Sequence, residues 1–168
     1  MGVVVRQLVK SDRGAICRIL QTSGTFTSGE IAVALELVDS AIARGLDGDY
    51  IAFTAIRDMR PDSSSHDDVC GYVCIGPTPM TASTWHLYWL CVEVAMAGAG
   101  VSHALHVHAE AFARSRGCDR FVLETSSQPA YTRARVFYDH EGYREVGRIP
   151  DFYKADDDCI LYCKELTP

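Results

Sequence analysis

The stretch over residues 84–117 restricts the possible fold more than any other part of the chain. Residues 84–94 read Thr-Trp-His-Leu-Tyr-Trp-Leu-Cys-Val-Glu-Val, apolar and aromatic-rich, and predict a strand. A Gly-x-Gly turn comes next at Gly98 and Gly100, and it opens a helix over residues 100–116 that stops at Gly117. Strand, glycine turn and helix start together make a phosphate cradle. Glycines let the backbone come close, the free amides of the first turn point at an anion, and the helix dipole adds to the attraction. A plain strand-to-helix turn carries the same glycines, so the residues C-terminal to the helix have to decide between the two.

Those residues form a second strand over 120–125 and a second helix through Ala134 that ends at Gly142 and Tyr143. The strand–glycine loop–helix, the strand end Leu123-Glu124-Thr125-Ser126-Ser127 and the pattern Ala134-x-x-Phe137-Tyr138-x-x-x-Gly142-Tyr143 resemble the GCN5-related N-acetyltransferase (GNAT) superfamily. The run from Tyr143 through Arg148-Ile149-Pro150-Asp151-Phe152-Tyr153 is similar to bacterial members. The resemblance covers residues 49–166, with an N-terminal portion typical of the family before it. It implies a single domain over residues 1–168 with an α/β fold. The sheet is expected to be mixed and mostly antiparallel, with parallel central strands that splay apart, flanked by about four helices. It implies an N-acyltransferase that moves an acyl group, acetyl above all, from a coenzyme A thioester to the amine of a small molecule. The mode is direct attack in a ternary complex.

The family frame is Gln or Arg, two residues, Gly, one residue, then Gly or Ala. Here it falls on Ala97, Gly98, Ala99, Gly100, Val101 and Ser102, so the basic or amide side chain over the pyrophosphate is missing and Ser102 closes the frame. The cradle itself is main chain and survives. The resemblance assigns the donor, acetyl-CoA or another acyl-CoA, to Val92 and Val94 of the strand, to the six frame residues and to His103. His103 either offsets the base absent at Ala97 or faces solvent. The gap opens two alternatives: an acyl donor carried on a protein or other biosynthetic intermediate, or a ligand-binding module of this fold without catalysis. For a carrier protein, Arg114, Arg116 and Arg120 are the obvious basic cluster. A metal is not expected at His103, His106 and His108, because a metal needs ligands of converging geometry, usually with a carboxylate or cysteine among them, and histidines clustered on one helix do not supply that by themselves.

Acyl transfer to an amine needs a neutral amine, a donor for the developing oxyanion and a proton or hydrogen bond for the leaving thiolate. Tyr138 occupies the position where many family members place the tyrosine that protonates the thiolate. A phenol of pKa about 10 suits a thiolate of pKa about 8.5. Glu124, at a strand end, can take the amine proton or bind the ammonium. His86, on the central strand, is a natural base near neutral pH. Strict alternation puts His86, Tyr88, Leu90 and Val92 on one face and Trp85, Leu87, Trp89, Cys91 and Glu93 on the other. Candidate acceptor contacts are Phe26 and Thr27, between the first two helices, Tyr88, and Asp151, in a loop between the last strands. Each has an ordinary structural alternative: core packing for Phe26, a turn after Pro150 for Asp151.

The remainder of the chain is read as strands over residues 3–8, 50–57 and 69–75, and a helix over 13–21 capped by Ser11 or Asp12. A second helix is capped by Ser28 and ended by Gly45. A polar hairpin loop covers 61–68, and strands over 145–149 and 159–166 are joined by a loop. With 48% hydrophobic and 23% charged residues in 168, the chain is long enough for a sizeable core. A net charge of -6 argues against nucleic-acid binding. Seven cysteines, an odd number with no Cys-x-x-Cys, read as reduced small hydrophobes. Cys70 and Cys74, and Cys159 and Cys163, are expected on one side of their strands at about 13 Å, too far to bridge. Without a membrane-length apolar run or a leader pattern, the expected location is the cytoplasm, with no membrane partner. Homodimers are common in the family.

Overall fold

The computed structural model describes residues 2–57 and 68–166. Its strands are β1 (Val3–Gln7), β2 (Ile51–Arg57), β3 (Val69–Pro77), β4 (Thr84–Val92), β5 (Arg120–Ser126), β6 (Arg144–Lys154) and β7 (Asp157–Glu165). Its helices are α1 (Arg13–Thr22), α2 (Ser28–Arg44), α3 (Val101–Ser115) and α4 (Thr132–His140). The strands form one sheet in the order β1-β2-β3-β4-β5-β7-β6. β4 and β5 are parallel, and every other pairing is antiparallel. This is the expected mixed α/β architecture. The hairpin loop expected over residues 61–68 lies outside the described residues except for Asp68.

Each sheet face carries its own apolar cluster. Ile16, Ile19 and Leu20 of α1 and Ala34, Val38 and Ala41 of α2 fall at helical spacing and close over Tyr72 and Cys74 of β3. Val101, Leu105, Ala109 and Ala113 form an i, i+4 stripe on α3. They pack with Tyr138 of α4 against Phe53, Val73, Phe121 and Leu123.

Two β-bulges overturn the simple alternation. Ala55 pairs Gly71 and Ile56 pairs Val69, so Cys70 is an extra residue. Cys70 and Gly71 then both face α3, and Cys70 and Cys74 lie in clusters on opposite faces rather than on one side. Likewise Cys74 pairs Trp89 and Ile75 pairs Leu87, which leaves Tyr88 extra. Tyr88 and Trp89 both turn to the α1/α2 face, whereas Leu90 and Val92 join Trp85 and Leu87 on the α3 face.

Three local expectations also change. The α2 cap is Thr27, one residue earlier than Ser28. Thr27 Oγ1 accepts from the Glu30 amide at 3.3 Å, and Glu30 Oε2 accepts from the Thr27 amide at 2.7 Å, a capping box. Asp12 makes no side-chain cap on α1. It is fully buried, its Oδ2 2.7 Å from Arg6 Nη1, and it accepts from the Val9 amide. The expected loop over residues 150–158 is mostly strand: β6 runs to Lys154, which pairs with Asp157, and the pairing with β7 shifts register between Glu145 and Gly147 and again between Ile149 and Lys154. Among the described residues no helix is long and apolar enough to cross a membrane.

Candidate active site

The sheet opens at its centre. β4 and β5 pair only at Thr84 with Arg120, Trp85 with Phe121, and His86 with Val122. Past that point β4 stays with β3 as far as Val92, and β5 stays with β7 as far as Ser126. The two parallel strands share no further pair, so a cleft lined by main chain begins at His86.

The glycine loop lies at the far end of β4. Residues Val94–Met96 form a 3-10 turn, and Gly98 and Gly100 come after it at φ 82° and 79°. Only glycine holds such angles without Cβ strain. Gly100 is the N-cap of α3 and offers no side chain to it. Among the described residues the amides of Val101, Ser102 and His103 have no backbone acceptor, the first intrahelical bond being Ala104 N to Gly100 O. A Cβ at either glycine would meet no atom within 4 Å, so the loop is open above its backbone. Bare amides, open space and a 15-residue helix behind them fit a diphosphate. Ala97 and Ala99 are exposed and bring no charge, and Val94 is exposed beside them. His103 is exposed, its Nδ1 2.8 Å from Glu141 Oε1. The other Glu141 oxygen faces the buried His106 Nδ1 at 3.3 Å, and His106 Nε2 meets the Tyr143 hydroxyl at 3.1 Å. Burial, then the Lys164 charge, pulls the His106 pKa down to about 4. His106 is therefore a neutral link between α3, α4 and the start of β6.

On the α1/α2 face the structure brings three sequence candidates together. Glu124 Oε2 lies 3.3 Å from His86 Nε2, Glu124 standing two residues beyond Val122, the last β5 residue paired with β4. The Tyr88 ring stacks on the imidazole at 4.5 Å and 17°, and Tyr50 meets Tyr88 edge-on at 5.1 Å. The His86 side chain is 15% exposed and that of Glu124 48%. The hydrogen bond from His86 lowers the Glu124 pKa, against a smaller opposing pull from burial. Phe26 reaches this face from the α1–α2 connection and packs on Trp89, centroids 5.4 Å apart.

Tyr138 belongs to the opposite face. It is buried, with ring centroids of Phe137 and Tyr143 at 5.6 Å and of Tyr162 at 5.9 Å. Its hydroxyl has no hydrogen-bond partner among the described residues. Burial first, and Tyr162 second, push the phenol pKa well above its ordinary value. Two other candidates are engaged elsewhere: Thr27 in the α2 cap, and Asp151 in the β6–β7 hairpin. Asp151 Oδ1 accepts from the Asp156 amide at 2.7 Å, and Asp151 holds φ 52°. Arg135 donates to the carbonyls of Ser126 and Gln128. A shallow cleft of about 400 Å³ between α1 and α2, lined by Cys17, Gln21, Ser28, Ile31, Ala32 and Leu35, contains none of the candidate residues. Among the described residues no three His, Cys, Asp or Glu side chains are placed to hold a metal.

Sequence reasoning missed Trp89 and Glu141. Trp89 reaches the His86 face only through the Tyr88 bulge, and its buried Nε1 has no partner among the described residues. Glu141 carries no motif signal, and only the packing of α4 on α3 brings it to both histidines.

The sheet is thus opened between its parallel strands, with a bare helix N-terminus at one end and ionisable side chains at the other. The chain belongs to the acetyltransferase (GNAT) family, whose sequence model matches residues 33–143. A GNAT-family protein from Desulfovibrio desulfuricans is 32% identical, covering 99% of this chain and 100% of its own, with a TM-score of 0.86. Ard1 from Thermoplasma volcanium matches at 16% identity over 100% of both chains, TM-score 0.76. An aminoglycoside 6'-N-acetyltransferase complexed with coenzyme A matches at 16% over 98% of both, TM-score 0.72. These two share the fold. No curated protein matches the sequence.

Proposed function

We propose that the chain is an N-acyltransferase that moves an acetyl group from acetyl-CoA to the amine of a small molecule, by direct attack with both substrates bound. The observation that carries this reading is the division of the opened sheet. An open backbone cradle and a tyrosine hydroxyl without a hydrogen-bond partner among the described residues serve one side, and a carboxylate–histidine pair among aromatic rings serves the other. Bound acetyl-CoA supplies the thioester. The amides of Val101, Ser102 and His103 hold its diphosphate, and the unpaired main chain of β4 near Val92 holds the arm. Tyr138 gives its proton to the departing sulfur, which removes the cost of expelling a thiolate. Glu124 with the rings of Tyr50, Tyr88, Trp89 and Phe26 suits a cation with an apolar body. A covalent route through cysteine is disfavoured, since burial pushes the Cys91 thiol up to about 11 and the Cys74 thiol to about 12. The coenzyme A complex of the aminoglycoside acetyltransferase adds support for the donor.

The missing base at Ala97 favours a second donor, an acyl group on a carrier protein. Against it, Arg114, Arg116 and Arg120 lie beside Glu110, Asp47 and Glu165, which offset the basic patch an acidic carrier needs. The test monitors free thiol release from acetyl-CoA with a panel of primary amines: an aralkylamine, a diamine, an aminoglycoside and a peptide with a free N-terminus. Amine-dependent release is expected. Acetyl-CoA binding without release for any amine would point to a non-catalytic module, and absence of binding would point to a different donor.

A further inference from the structure

The proposed reaction leaves open which group takes the amine proton, and the geometry points to one. We propose that His86 is the general base through Nδ1 and that Glu124 is a positioning residue acting through it. This rests on the acyl-transfer reading of the same site.

The Glu124 carboxylate, held ionised by the contact, is an acceptor only, so the imidazole nitrogen facing it at 3.3 Å carries the hydrogen. A neutral imidazole holds one N–H, which assigns it to Nε2 and leaves the lone pair on Nδ1. Nδ1 has no partner among the described residues. Turning the ring over in its own plane would put a carbon in place of Nε2 and lose the Glu124 contact. His86 is also the last residue at which β4 and β5 pair, so its side chain stands where the cleft begins. Glu124 is a weaker choice as base. A carboxylate of lowered pKa gains little by accepting a proton from an ammonium, and its nearest partner is already His86.

In the transfer step the amine nitrogen forms its bond to the acyl carbon and gives one proton to His86 Nδ1. The carbon–sulfur bond breaks, and Tyr138 gives a proton to the sulfur. Glu124 then faces an imidazolium, which it stabilises without becoming protonated. Because Glu124 is half exposed, the proton on the pair passes to solvent; Tyr138 is buried, so its proton returns from water that enters the opened sheet once coenzyme A has left.

The test uses acetyl-CoA and the panel amine that releases thiol fastest, with wild type, His86→Ala and Glu124→Gln. His86→Ala is expected to lower kcat by about 10²–10⁴ with the acetyl-CoA KM nearly unchanged, and added imidazole restores part of the rate. Glu124→Gln is expected to lower kcat by about 10–100-fold, again at constant acetyl-CoA KM, and imidazole does not restore it, because His86 is still present. Three results would overturn the assignment: a His86→Ala loss that imidazole leaves untouched, near-wild-type kcat in either variant, or a larger loss in Glu124→Gln than in His86→Ala. The last would make Glu124 the base. If the wild type binds acetyl-CoA but acetylates no amine, the acyl-transfer reading itself fails, and this one with it.

Discussion

Tyr138 shows how burial changes the role of a single side chain. Its motif position is legible in the sequence, and an ordinary phenol is a reasonable acid for a thiolate. Burial raises its pKa, which keeps the proton on the oxygen. As pH rises, kcat therefore loses nothing to ionisation of Tyr138 up to about pH 10, where a free phenol would titrate. A basic limb assigned to this residue below that value, by comparing pH profiles of wild type and Tyr138→Phe, would contradict the placement. Tyr138→Phe keeps the ring contacts and is expected to lower kcat by about 10²–10⁴ with little change in KM. The loss shrinks for a thioester whose thiolate is already a stable anion, and equal losses for good and poor leaving groups would remove the tyrosine from the chemistry. The pairing of His86 with Glu124 is less legible. Each residue stands out on its own strand, but their contact depends on a parallel register that no local pattern encodes.

Among the elements, the glycine loop and the α3 stripe are read directly from residue type and spacing, because turn chemistry and helical periodicity act locally. The β-bulges are not. An extra residue at Cys70 or Tyr88 leaves no compositional trace, yet it reverses the facing of what surrounds it, so Trp89 and Leu90 exchange sides. The α2 cap is misread by one residue because Thr27 and Ser28 are both good caps, and only Glu30, three residues after Thr27, decides between them. Thr27→Ala is expected to cost about 1 kcal/mol in denaturant unfolding. Gly100→Ala is expected to cost about 1–2 kcal/mol from backbone strain alone, since φ is 79° and no neighbour crowds a Cβ there. The same variant should weaken acetyl-CoA binding in calorimetry, because its methyl stands beside the bare amides. Unchanged stability together with unchanged binding would show that the loop does not work as described.

At the scale of the whole molecule, one sheet separates two cores, and the proposed function gives each substrate its own face. The N-terminal helices are tied to the sheet by Asp12, which is fully buried against Arg6 and Thr54. Burial raises its pKa, but the Arg6 hydrogen bond, the Val9 amide, the Arg6 charge and Thr54 together outweigh that and leave it lowered. The pair therefore stabilises the fold above the ordinary carboxylate range, and this contribution is lost as pH falls below about 4. Asp12→Ala should cost about 3 kcal/mol at neutral pH, near the low end for a buried pair because the Arg6 side chain is 34% exposed. A variant as stable as wild type would contradict that role. The proposed direct transfer makes a kinetic demand of its own: both substrates must be present before the acyl group moves. Initial rates with acetyl-CoA and amine varied together test this most directly. Intersecting double-reciprocal lines, with no acetylated protein when amine is withheld, are the predicted result. Parallel lines, with an acetyl group found on a cysteine before amine is added, would contradict direct transfer across the opened sheet.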